Sequence, residues 1–310
     1  MTASRSRTLD GILLMATAFG IVPLMDGTAK MLTRDYDPLQ IMWGRYLFQS
    51  LFMSILIFGI GRKSFAVLWT RRPGLQTVRA FFGWSSNLPF ITALIFIPLA
   101  DAISVVLVGP LLVTALSVPL LGERVGVWRW SAVVIGMAGA VIIVRPGLGV
   151  MHWAIILPLV SAFTFGLYQI FTRRLSGTES TDSLLLLDSY AGLIFSLVAL
   201  PFVWKTPDLE GWGLMILMGL IVTGMRIALV YALKFAPASI LAPFAYVQIV
   251  SATVIGLVLF GDFPDRWTIL GAAIVCLSGI FIALRERARP HLTEKAPAGL
   301  RGHRDRNVGS

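Results

Sequence analysis

Of the 310 residues, 56% are hydrophobic and only 14% are charged, against about 25% charged in an ordinary soluble domain, so a water-facing surface of this size is excluded. The single Cys276 excludes an internal disulfide framework, and three scattered histidines (His152, His291, His303) assemble no metal site with it. The net charge of +10 resides in loops and tails between apolar runs, which suits a lipid bilayer and not nucleic acid.

Residues 1–9 read as a polar tail. The run from 11 to 32 is the first predicted span. It is too long for a signal peptide, contains Asp26 and Lys30, and lacks a suitable small-residue cleavage site. Nine more predicted spans follow over 38–60, 75–97, 101–121, 127–145, 150–172, 183–204, 211–233, 239–260 and 266–284, each near the 20 apolar residues a bilayer requires. Every connection is short. Residues 286–310 are basic and poor in apolar residues, which predicts a disordered tail.

A shift of 139 positions lays Ala93–Arg145 on Ala232–Leu284 without a gap. Pro98 falls on Pro237, Gly122-Glu123 on Gly261-Asp262 and Trp128 on Trp267. The chain is therefore two halves, 10–147 and 148–285. Five spans per half is an odd number, so the second half enters the membrane from the opposite side. Inverted repeats of this kind are a mark of secondary transporters, with the substrate site near the midplane. Predicted inner segments hold Arg5, Arg7, Arg62, Lys63, Arg71, Arg72, Arg124, Arg129, Arg173, Arg174 and Lys234, besides the basic tail. Predicted outer segments hold only Lys30, Arg34, Arg145, Lys205 and Arg266. Lysine and arginine favour the cytoplasmic side, which places both termini there.

The stretch Pro98-Leu99-Ala100-Asp101-Ala102, then Pro110, Leu121-Gly122-Glu123-Arg124, Arg129-Trp130, Gly136, Gly139 and Arg145-Pro146-Gly147 resembles the EamA-type, ten-helix branch of the drug/metabolite transporter superfamily. Arg45 in the second span also suits that pattern. The resemblance implies an all-α integral membrane transporter of small metabolites. Its central cavity would be formed mainly by the first four helices of each half, with the fifth helices packed away from it. It covers residues 10–285 and says little about substrate.

An ionisable residue at membrane depth is costly and is usually functional or paired. Arg45 reads either as a cation for a substrate carboxylate or phosphate or as a structural arginine that snorkels or pairs. Asp188, its mate at a shift of 143, reads as a cation or proton site or as a carboxylate in reach of cytoplasmic water. Asp26 and Lys30 are four apart on one helix face, which suggests an ion pair; the sharper reading makes Asp26 proton-coupled. Arg226, the mate of Asn87, has few carboxylates to pair with, which favours a central position. Arg79 reads as a gate residue or as an inner-edge snorkeller. Trp84, Tyr168, Gln169, Tyr190, Tyr246 and Gln248 are candidates to line an aromatic or heterocyclic site, or plain packing. Pro23, Pro89, Pro110, Pro158 and Pro243 interrupt spans and read as hinges or static kinks. Ala132, Gly136 and Ala140 form a small-residue stripe for close helix packing.

The sequence holds no catalytic triad, phosphate loop or metal spacing, so neither cofactor nor metal is expected. The expectation is a secondary transporter of a small polar metabolite, amino-acid- or nucleoside-like, in the bacterial inner membrane. Its partners would be a small-molecule substrate and the lipid bilayer, with no nucleic acid, and it would act as monomer or homodimer. The alternatives are a membrane-embedded enzyme for lipid-linked substrates and a non-transporting membrane subunit.

Overall fold

The computed structural model describes residues 2–123, 125–145 and 153–287. Among them all regular structure is helical. In chain order the α-helices are α1 (Thr2–Leu32), α2 (Pro38–Ser54), α3 (Pro73–Ala93), α4 (Leu99–Val106), α5 (Gly109–Leu121), α6 (Val127–Val144), α7 (Ile156–Leu175), α8 (Thr181–Val203), α9 (Leu209–Phe235), α10 (Ala238–Leu241), α11 (Val247–Phe260) and α12 (Arg266–Arg287). Helix starts follow local chemistry. Asp37 accepts from the Leu39 N–H at 2.8 Å, with Pro38 in the first turn of α2, and Ser180 and Asp208 cap α8 and α9 in the same way.

Nine segments among the described residues are long and apolar enough to cross a membrane. Helix α3 is outside that set because it carries Gln76, Arg79, Ser85, Ser86 and Asn87. Its 21 residues, at about 1.5 Å each, still reach the ~30 Å of a hydrocarbon core. It is the tenth span, and its polar residues face protein. The protein is thus a multi-pass membrane protein.

Three boundaries differ from expectation. Helix α1 extends back to Thr2, through the stretch read as a polar tail. The fourth span is two helices, α4 and α5, parted at Leu107–Val108. The ninth comprises α10, a 3-10 segment Ala242–Tyr246, and α11. Both breaks fall in corresponding spans of the two halves. The boundary between the halves at 147/148 and most of the basic tail lie outside the described residues.

The contacts obey the repeat. Exchanging each span for its mate turns the α1–α9 seam into α7–α3, α1–α11 into α7–α5, and α2–α9 into α8–α3; all six are made. The α2–α8 and α6–α12 seams map onto themselves and are also made. Gly122 and Gly261, mates that end α5 and α11, both adopt left-handed backbone, at φ 69° and 71°, where a Cβ would be strained.

Helices α6 and α12 cross at Gly139 and Gly271. A Cβ at Gly139 would stand 2.9 Å from the Gly271 carbonyl oxygen and 2.9 Å from the Ile274 side chain. Ala132 and Ala140 are buried in α6, and Gly136 meets Leu111 and Ser278, so the small-residue stripe packs within the protomer. Gly139→Leu should overpack this crossing by about 1–3 kcal/mol. A lowered melting midpoint of the detergent-purified protein is the expected result; an unchanged midpoint would contradict the crossing.

The ion pairs between helix ends sort by face. Lys30–Asp262, Arg145–Asp265 and Lys205–Asp35 join ends predicted to be outer; Lys63–Asp182 and Arg173–Glu123 join ends predicted to be inner. At the end predicted to be outer the Gly211 N–H and the Tyr36 hydroxyl donate to Asp208 and hold its carboxyl below the ordinary range.

Candidate functional site

The buried charges gather where α2, α3, α7, α8 and α9 meet. Asp188, only 4% exposed, accepts from Arg226 Nη2 at 2.7 Å and lies 3.7 Å from Arg79 Nη2. Arg79 does not snorkel: it is 1% exposed. Its guanidinium donates to the Leu184 carbonyl (2.6 Å), Tyr168 (3.1 Å), Thr172 (3.3 Å) and Gln76 (3.3 Å), and lies over the Tyr168 ring. Gly83 admits this arrangement, because a Cβ there would stand 2.8 Å from the Tyr168 ring. Arg226, expected to have few carboxylates to pair with, has found one in Asp188. Of the two readings of Asp188, the carboxylate in reach of cytoplasmic water is corrected: rotation about α8 turns it inward, against α3 and α9.

A second pair occupies the other half. Arg45 is buried, and its Nη1 donates to Asn87 Oδ1 at 2.8 Å. Its guanidinium lies 4.4 Å from the Tyr46 ring centre. The Arg45 Nε is buried without a partner. Asp26, also buried, makes neither a hydrogen bond nor an ion pair among the described residues, and Arg45 is the cation that acts on it. Lys30 is not its partner: the Lys30 ammonium reaches Asp262 at 2.8 Å instead. Lys30 is in the last turn of α1, while Asp26, one turn earlier, is buried.

These two pairs are mates. Arg45 corresponds to Asp188 and Asn87 to Arg226, so a pair between the second and third spans of one half recurs in the other with the cation on the opposite helix. Tyr46 stands between them, under the electrostatic influence of Arg45, Asp188 and Arg226, and Asn87 Nδ2 donates to its hydroxyl at 3.4 Å. The α2–α8 seam around it is symmetric as well. The Tyr46 ring fills the space a Cβ would take at Gly192, and Gln49 Nε2 donates to Ser189 at 2.8 Å; Tyr46 and Ser189 are mates, as are Gln49 and Gly192.

The model of the EamA-like transporter family matches residues 10–145 and 152–284, one match in each half. The chain belongs to the EamA-like transporter family. That family is part of the drug/metabolite transporter superfamily, and the chain is a transporter, not an enzyme. This EamA-like chain is 25% identical over 285 residues to an S-adenosylmethionine uptake transporter of Rickettsia prowazekii (strain Madrid E), covering 90% of this chain and 94% of the other. It is 32% identical over 221 residues to a riboflavin transporter of Vibrio cholerae, covering 69% and 73%. It is 25% identical over 280 residues to the pseudopaline exporter CntI of Pseudomonas aeruginosa, covering 88% and 96%. A solved crystal structure shares the fold with a TM-score of 0.63 at 17% identity, covering 92% of this chain and 98% of that one.

Other candidates of the EamA-like chain lie elsewhere. Trp84 donates from Nε1 to Ser196 at 2.9 Å and packs on Phe81 and Phe195, along the α3–α8 seam. The Tyr190 hydroxyl meets Ser54 at 2.7 Å, beside an apolar cluster of Met53, Ile57 and Leu186. Tyr246 is buried against Gly279 of α12. Gln169 is exposed and Gln248 half-buried; neither side chain forms a hydrogen bond among the described residues. Pro23 and Pro89 sit inside α1 and α3, Pro158 in the first turn of α7, Pro110 opens α5 directly after the Leu107–Val108 break, and Pro243 lies in the 3-10 segment. Sequence reasoning passed over Tyr46, Gln49, Gln76, Thr172 and Ser189. A signal exists for two of them: Gln49 is one turn after Arg45 and Gln76 one turn before Arg79, each on the arginine's own helix face.

Proposed function

We propose that this protein moves a small metabolite bearing one carboxylate across the bacterial inner membrane, by alternating access of its two halves about the Arg45–Tyr46–Asp188 region. The observation that supports this is a charge imbalance. Arg45, Arg79 and Arg226 are three cations set against two carboxyl groups, Asp26 and Asp188. At least one positive charge is therefore left over in a region shielded from water, where an uncompensated charge is costly. A substrate carboxylate would give Arg45 the counter-ion it lacks. The free Nε of Arg45 gives that carboxylate a donor, and Asp26, which makes no ion pair and on which Arg45 acts electrostatically, gives an ammonium or a proton a place. An α-amino acid group satisfies both. In this reading Arg45 and Asn87 bind substrate, Asp26 couples a cation or proton, and Asp188 with Arg226 closes the other half. Pro23, Pro89, Pro110 and Pro243 act as hinges, and both termini are cytoplasmic.

The relatives suggest a discriminating pair of probes. S-adenosylmethionine carries an amino-acid carboxylate and riboflavin carries none. Proteoliposomes holding the full chain should take up S-adenosylmethionine or a simple amino acid down an imposed gradient and leave riboflavin outside. Uptake of riboflavin with no response to any carboxylate would reject the carboxylate site.

A further inference from the structure

Two ion pairs stand at opposite faces of the bundle and are images of each other under the repeat. At the outer end Lys30, in the last turn of α1, meets Asp262, which follows left-handed Gly261 at the end of α11; Nζ and Oδ2 are 2.8 Å apart. At the inner end Arg173, in the last turn of α7, meets Glu123, which follows left-handed Gly122 at the end of α5; Nη2 and Oε1 are 2.9 Å apart. A shift of 143 carries Lys30 to Arg173, and a shift of 139 carries Glu123 to Asp262. Charge sign, position in the helix and the preceding glycine are all retained. The other inter-helix ion pairs at the ends do not repeat: Lys63 has Thr206 as its mate, Arg145 has Leu284, and Lys205 has Arg62.

We infer that these two pairs are the reciprocal latches of the transport cycle, one closing each face. The reading rests on alternating access as proposed above. Lys30–Asp262 ties the first span to the ninth, and Arg173–Glu123 ties the sixth to the fourth. These are mate seams at opposite ends of the molecule. Both latches are made here. Opening a face breaks its own latch and leaves the other intact. The left-handed glycine sets the geometry: it ends the helix and turns the next carboxylate back across the seam, a conformation in which an L side chain is strained.

The latches are unequal. Lys30 is 16% exposed; it also donates to the Ile97 carbonyl at 3.3 Å and lies 4.8 Å from the Phe260 ring centre. Arg173 is 60% exposed. Exposed pairs are weak and screened by salt, so the inner latch is the one that yields first. The resting bias is toward opening inward.

The test measures conformation, not transport, so it stands whether or not the carboxylate reading of the substrate holds. Full-length protein with Cys276→Ser is reconstituted in lipid vesicles. Spin labels are placed at Arg34→Cys with Phe263→Cys across the outer seam, and at Ser176→Cys with Val127→Cys across the inner seam. Lys30→Gln should raise the long-distance population of the outer pair about fivefold and leave the inner pair short. Arg173→Gln should do the reverse, by about twofold. The exchange Lys30→Asp with Asp262→Lys should restore the outer distribution, which separates a lost latch from a damaged fold. Unchanged distances in both neutralised variants, loosening of both faces by either one, or failure of the exchange to restore the outer seam would each overturn the inference.

Discussion

Replacing Asp188 by alanine is expected to destabilise the folded bundle by about 3–5 kcal/mol, the cost of removing one partner from a buried ion pair. Two guanidiniums depend on this carboxylate to different degrees. Arg79 keeps the Leu184 carbonyl, Gln76, Tyr168 and Thr172 when Asp188 is gone. Arg226 loses its 2.7 Å acceptor, and its Nε already lacks a partner. Most of the penalty should therefore fall on Arg226. This makes the second substitution informative. Asp188→Ala with Arg226→Met removes the stranded charge and should recover most of the lost stability, although it deletes more polar contacts than the single change. The measurement is the thermal midpoint of purified protein in one detergent, for both single variants and the double. If the double variant is no more stable than Asp188→Ala, the Arg226–Asp188 pair is not the main tie. By contrast, Asp182→Ala, which touches only half-exposed Lys63 at 3.7 Å, should change the midpoint little.

This pair also marks the limit of what the sequence discloses. The ten spans and their inversion are legible because punctuation repeats in register. Gly122 and Gly261 demand the same left-handed turn, and a helix that must stop at a membrane face has little freedom about where. The depth of each charge is legible too, since it follows from counting residues along a span. Partner choice is not. It depends on how each helix is rotated about its axis and which helix lies beside it, and neither is encoded locally. Depth alone puts Asp188 near the inner water and leaves Arg226 with few carboxylates to pair with, whereas packing of α8 against α9 joins them. The spacing of Asp26 and Lys30 suggests a local pair, but Lys30 finds Asp262, 232 positions away. The repeat holds the missing information. Applied to charged residues as well as to glycines and prolines, the two shifts single out Lys30, Arg173, Glu123 and Asp262 as one set. The aromatic candidates are placed by a different force. Tyr190 and Trp84 each hydrogen-bond a serine inside a predominantly apolar seam, and Tyr246 packs against Gly279, as buried aromatic side chains do in any helical bundle.

Arg45→Gln should weaken substrate binding by about 10- to 150-fold, with the fold intact. The range follows from a hydrogen bond to a charged group, about 1.5–3 kcal/mol, at 1.4 kcal/mol per tenfold. Retention of the fold is expected because Arg45 differs from Asp188 in its surroundings. Its one hydrogen-bonded partner, Asn87, is neutral, and the Asn87 amide also donates to the Gly83 carbonyl at 2.6 Å and to Tyr46. The guanidinium makes no ion pair, and buried Asp26, on which it acts electrostatically, can take up a proton when the cation is gone. Glutamine keeps a donor for Asn87 Oδ1. Arg45→Lys is the sharper control: it preserves the charge and loses the planar fork. If the anion is held by directed donors, including the free Nε, lysine should bind nearly as poorly as glutamine. If charge alone steers the anion, lysine should rescue most of the affinity. The readout is the concentration dependence of carboxylate uptake into vesicles, where the apparent KM should rise while the maximal rate changes less. Asn87→Ala gives the companion result. It frees a second Arg45 nitrogen, so it should disturb the aim of the guanidinium without removing its charge, and its KM should fall between those of wild type and Arg45→Lys. A folded Arg45→Gln protein with unaltered KM would remove Arg45 from the site and leave Arg226 as the cation to test next.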